Sequence, residues 1–141
     1  IVAGHPRDLI EAVTDFGHHY GMAFQVIDDI LDVVATDAQL GKPAGNDLVE
    51  GVYTLPVILA MAGPAGDELR GLLGGPIDPE TRDRARRLVR SDPAILTATD
   101  TAVSFTDRAL AALDGLSTTP AVCTLRSTCD LLLARVVDIT V

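Results

Sequence analysis

The chain has 141 residues, 48% of them hydrophobic and 22% charged, a balance that suits one compact domain and argues against long disorder. Eleven basic and twenty acidic side chains leave a net charge of −9, which disfavours nucleic acid or an anionic membrane as the main partner. Twelve glycines and eight prolines are close to ordinary shares, so collagen-like and low-complexity readings also fall away.

The first residue is Ile1, and no charged leader precedes the apolar Ile1-Val2-Ala3-Gly4. The expectation is a cut end. His5, Arg7, Asp8 and Glu11 interrupt any secretory signal early, so export is not signalled. Ile10, Val13, Phe16 or Gly17, Tyr20, Phe24, Ile27, Leu31 and Val34 then recur at steps of three and four. This spacing predicts one long helix from about Asp8 to about Thr36, with a buried stripe. Gly17 and Gly21 lie on it and leave room for a neighbouring helix or ligand to come close, at roughly 1 kcal/mol each in helix propensity.

Asp37 to Gly51 breaks the pattern, because Gly41-Lys42-Pro43-Ala44-Gly45-Asn46-Asp47 is too rich in turn formers to stay helical. A loop is expected there. A second helix is predicted over Thr54 to Met61, with Pro56 tolerated in its first turn. It contains the longest apolar run, which is far shorter than the roughly 20 residues a membrane span needs. Further helices are predicted over Asp67 to Leu73, from Asp78-Pro79-Glu80 to about Arg90, over Ala94 to Leu113, and over Pro120 to about Val137. The arginines from Arg82 to Arg90 are expected to form a solvated face paired with Asp78, Glu80 and Asp83. No strand alternation and no internal repeat is found. Cys123 and Cys129 sit about 240° apart around the last predicted helix and cannot easily bridge each other. Both are expected to be buried thiols in a reducing compartment. His5, His18 and His19 give no zinc spacing, and the last two are expected to be packing or surface residues.

The chemistry concentrates in Gln25-Val26-Ile27-Asp28-Asp29-Ile30-Leu31-Asp32. Asp28 and Asp32 lie one helical turn apart, Gln25 is on the same flank, and Asp29 is offset but near. Carboxylates so placed repel, and the repulsion grows with burial. A hard divalent cation such as magnesium compensates it, because it takes carboxylate oxygens and keeps positions open for water and phosphate. The alternative is a solvated acidic edge. The apolar flanks, Phe24, Val26, Ile27, Ile30, Leu31, Val33 and Val34, favour acids that face a cavity. Lys42 is the only lysine in the chain, and beside a glycine turn it suits contact with a phosphate as a point charge. Its alternative is an ordinary surface lysine.

The ordered blocks Gly21 to Asp32, Gly41 to Leu48, and Glu50-Gly51-Val52-Tyr53-Thr54-Leu55-Pro56 resemble the second aspartate-rich region of the trans-isoprenyl (polyprenyl) diphosphate synthases. Leu131-Leu132-Leu133-Ala134-Arg135 is similar, less specifically, to that family's C-terminal helices. The resemblance implies an all-α helical bundle of the isoprenoid synthase type, with residues 1–141 as its C-terminal, incomplete portion. It also implies a cytoplasmic prenyltransferase of isoprenoid biosynthesis that joins an allylic diphosphate head-to-tail to isopentenyl diphosphate with the help of Mg2+. On this resemblance Asp28, Asp29 and Asp32 form the metal site, and Asp28, Asp32 and Lys42 are the catalytic residues. Gln25, Lys42 and Phe24 are assigned to substrate binding. A dimer is implied for the full-length form.

Two departures stand out. Val52 occupies the position where the family usually carries a second diphosphate-binding lysine, and no first aspartate-rich motif occurs in the chain. These 141 residues alone are therefore not expected to catalyse the reaction. The other reading is a non-catalytic helical subunit that binds a partner chain.

Overall fold

The computed structural model describes residues 4, 6–41 and 43–140, with side chains described up to Val136. Among them all regular structure is helical: α1 (Arg7–Val34), α2 (Asp37–Leu40), α3 (Asn46–Val49), α4 (Leu55–Ala62), α5 (Gly66–Leu73), α6 (Pro79–Ser91), α7 (Ala94–Ala112) and α8 (Pro120–Thr140). The expectation of an all-α fold is met. The helices expected along the chain form within a few residues of their predicted limits. The segment expected as loop differs, since two single-turn helices interrupt it. Thr36 and Gln39 close a reciprocal capping box that starts α2, and Gly41 ends it at φ 67°, a conformation glycine adopts without steric cost.

Helix α1 is the spine. Its most extensive contact is with α7, and it also touches α4, α6 and α8. Ala23, Ile27, Ile30 and Val34 line its buried side at the three-and-four spacing of one helix face. Ala98, Ala102 and Ala109 of α7 are fully buried, and their small side chains let the two helices come close. Val57 and Ala60 of α4, Leu69 of α5, Val89 of α6 and Leu132 of α8 complete the main core. A smaller cluster joins Phe16 to Ala109, Leu113 and Cys129.

The buried stripe departs from the predicted one in its first turns and at Phe24. Phe16, Ile27, Leu31 and Val34 are buried, whereas Ile10, Val13 and Phe24 are exposed. Hydrophobic spacing marks a face, and burial follows only where another element covers it. Gly17 and Gly21 likewise have nothing within 4 Å of where a Cβ would stand, so the close approach expected there is not made by any described residue. Cys129 is buried as expected, but Cys123 is exposed because it lies on the outer side of α8.

The arginine face is also only partly as expected. Arg82 pairs with Asp83 at 2.8 Å, but Arg84 reaches Glu68 of α5 at 2.6 Å. Asp78 accepts from the Thr81 backbone N–H as the N-cap of α6. Arg86 turns inward and donates to the carbonyl oxygens of Val33, at 3.2 Å, and Ala35, at 2.5 Å. Carbonyls at a helix C-terminus have no partner within the helix, and a cation there also complements the helix dipole.

Candidate metal and diphosphate site

The last turns of α1 carry the acidic cluster. Gln25 Nε2 donates to Asp29 Oδ1 at 2.7 Å, so the amide holds that carboxylate in place. Asp28 is exposed, and Arg135 Nη2 of α8 lies 4.0 Å from its Oδ1. The same guanidinium sits 5.6 Å over the Phe24 ring, within reach of a cation–π attraction. Phe24 and Arg135 share a shallow cleft with Tyr20, Thr128, Leu131 and Leu132.

Asp32 is only 5% exposed, and both of its carboxylate oxygens are buried without a hydrogen-bond partner among the described residues. A buried carboxylate in that condition is costly unless a cation neutralises it or a proton is taken up. Burial also pushes the Asp29 carboxyl above its ordinary range. The Gln25 hydrogen bond works in the other direction, and the charges of Asp47, Asp28 and Asp32 add to the rise. Four carboxylates therefore influence one small region, the pattern that a divalent cation relieves.

Asp47 was not singled out in the sequence. The chain folds back to bring it there: Gly45 N–H donates to the Asp32 carbonyl at 2.9 Å, Ala44 N–H to Asp37 Oδ1 at 2.9 Å, and Val52 N–H to the Asp47 carbonyl at 2.8 Å. The available signal was its place after two turn-forming glycines, which permit a reversal of the chain. Lys42, in the same segment, lies outside the described residues. Val52 is exposed, and its neighbour Tyr53 anchors the entrance to α4 by donating its hydroxyl to the Leu73 carbonyl at 2.6 Å. His18 is exposed and His19 packs near Phe105, away from the acids.

Oxygen donors of this kind suit a hard cation such as magnesium or calcium. Among the described residues no three His, Cys, Asp or Glu side chains converge closely enough to hold an ion by themselves. That is compatible with magnesium, which is commonly held by one or two carboxylates while water and phosphate oxygens fill the rest of its shell.

A sequence model of the family described as Polyprenyl synthetase matches residues 1–91. The chain belongs to the polyprenyl synthetase family. Among relatives in this family, it is 36% identical over 116 residues to heptaprenyl diphosphate synthase component 2 of Geobacillus stearothermophilus, covering 82% of this chain and 36% of that protein. It is also 36% identical over 110 residues to nonaprenyl diphosphate synthase of Mycobacterium tuberculosis, covering 76% and 33%. In three dimensions it is similar to geranylgeranyl pyrophosphate synthase from Corynebacterium glutamicum, solved with calcium and isoprenyl diphosphate, with a TM-score of 0.85 and 36% identity. That similarity covers 95% of this chain and 42% of the solved one. The polyprenyl synthetase chain thus spans about two fifths or less of the length of these relatives, and its helices have the isoprenoid synthase arrangement.

Proposed function

We propose that residues 1–141 are the C-terminal portion of a polyprenyl diphosphate synthase and supply its second metal and diphosphate site. The observation that carries this reading is Asp32, whose buried carboxylate has no partner among the described residues and lies one turn from Asp28. The complete enzyme would be a cytoplasmic dimer that joins an allylic diphosphate to isopentenyl diphosphate. Two free cysteines accord with a reducing compartment.

In this reading the carboxylates of Asp28, Asp29 and Asp32 would share the hold on Mg2+, one or two of them at any ion and diphosphate and water oxygens completing its shell. When bound, magnesium supplies positive charge that stabilises the diphosphate leaving group as the allylic C–O bond breaks. The chain's own residues prepare the place. Gln25 orients the Asp29 carboxylate, and burial of Asp32 lowers the local dielectric so that each charge contact counts for more. Lys42 would add an ammonium to the diphosphate oxygens, an interaction that strengthens as negative charge collects on them. Phe24 would offer an apolar surface to the prenyl chain.

Calorimetry tests the site. Magnesium with inorganic diphosphate is expected to bind the chain, and Asp28→Ala combined with Asp32→Ala is expected to abolish that binding. Unchanged affinity in the double variant would overturn the assignment.

Val52 supports a second reading, in which the chain is a binding subunit. An exposed valine stands where the resembling family usually has a lysine, so one cation is missing from the diphosphate contacts. One relative is itself named as component 2 of its enzyme. In a complete protein, Val52→Lys is expected to speed turnover of allylic diphosphate under the catalytic reading and to leave a binding subunit unchanged.

A further inference from the structure

Arg86 is a residue of α6, outside the acidic cluster, and lies against the segment that carries Gly45 and Asp47. Its guanidinium is bound to two carbonyls at the end of α1, Val33 and Ala35. Its aliphatic stem lies against Gly45: a Cβ built on that glycine would meet Arg86 Cδ at 2.5 Å and Cγ at 3.1 Å. Gly45 has φ 75°, where residues with side chains are strained, and its N–H is bound to the Asp32 carbonyl. One side chain therefore clamps the end of the acidic helix to the returning segment. Arg87, one position along the same helix, is exposed and makes no comparable contact among the described residues.

We propose that Arg86 is a positioning residue for the metal and diphosphate site, holding the segment from Ala44 to Asp47 against the last turn of α1 so that Asp47 stays in the neighbourhood of Asp29. This rests on the reading of that cluster given above. The physical case is one of complementarity. Charge-assisted bonds to carbonyls that lack helical partners are among the stronger hydrogen bonds, and the stem fits only because Gly45 has no side chain. Pre-organising carboxylates before an ion arrives reduces the ordering that binding must otherwise bring about.

The test uses the 141-residue chain with Arg86→Met, which keeps an apolar stem and removes the donors, Arg86→Lys, which restores a cation, and Arg87→Met as control. Amide hydrogen exchange is read without metal. Arg86→Met is expected to speed exchange of the Gly45 N–H about tenfold or more while the Ile27 and Ile30 amides stay protected. Arg86→Lys should recover part of the protection, and Arg87→Met should change nothing. The affinity for magnesium with inorganic diphosphate should fall in parallel, by a similar factor. Unchanged Gly45 exchange in Arg86→Met, or loosening spread evenly along α1, would overturn the proposal. If Arg86→Met does not fold, Gly45→Ala takes its place: it keeps Arg86 but forces the clamp apart, and an unaltered diphosphate affinity would count against the proposal. A parent chain that binds no magnesium and diphosphate would sink the functional reading instead, and the metal-free exchange data would still decide the role of Arg86.

Discussion

The carboxyl group of Asp29 is held above its ordinary range, first by burial and then by the charges of Asp47, Asp28 and Asp32, against the Gln25 hydrogen bond. A carboxyl raised on folding binds its proton more tightly in the folded state. Its contribution therefore favours folding at pH below the ordinary carboxylate range and is lost as pH rises through the raised folded value. Asp29→Asn is accordingly expected to raise the thermal midpoint of the metal-free chain at neutral pH and to flatten its dependence on pH just above the carboxylate range. A midpoint that falls, or an unaltered pH profile, would contradict this account. Magnesium affinity should also decline as the solution is acidified through that window, since the proton competes with the ion. The cysteines give a second residue-scale expectation. Burial pushes the Cys129 thiol up and its side chain is enclosed, whereas Cys123 is exposed. A thiol reagent under native conditions should label Cys123 alone, and mass spectrometry of the labelled peptide checks it.

At the scale of elements, α1 serves both as core and as platform. Ile27 and Ile30 are fully buried, while Asp28 and Asp29 project from the same turns. Ile27→Ala should cost about 2–5 kcal/mol, the usual range for a large core side chain cut to alanine, measurable by urea unfolding. The start of α5 is equally exacting. A Cβ on Gly66 would collide with the Met61 carbonyl oxygen, and a backbone obstacle cannot swing aside. Gly66→Ala is expected to destabilise by about 1–3 kcal/mol, with a thermal midpoint near that of the parent counting against the packing described.

Over the whole molecule, large apolar side chains remain uncovered: Leu131 is 70% exposed, Leu96 64% and Ile58 53%. Near the start of α1, Leu9 and Val13 line a cleft of about 430 Å3 with Leu116, Val122 and Leu125. None of the helices is long and apolar enough to cross a membrane among the described residues. Under the proposed function the chain holds one acidic helix of a site that needs two, so it is expected to turn over no allylic diphosphate by itself. Product formation from allylic and isopentenyl diphosphates, followed by radiolabel incorporation, is the measurement. Turnover by the purified chain would refute the incomplete-site reading.

The helical class, the approximate helix limits and the place of Asp28, Asp29 and Asp32 on one helix were legible in the residues alone, because these follow from local spacing. Turn formers between Gly41 and Gly51 also marked the break after α1. Which groups meet across distance depends instead on how the helices pack. Asp47 joins the acidic region because the chain reverses at Gly45, and Arg86 reaches α1 from α6, more than fifty positions away in sequence. The burial of Asp32 and the exposure of Ile10, Val13 and Phe24 were equally invisible to periodicity. Spacing fixes which side chains share a face; which face is covered, and which charge is left without a partner, depends on the elements that pack against it.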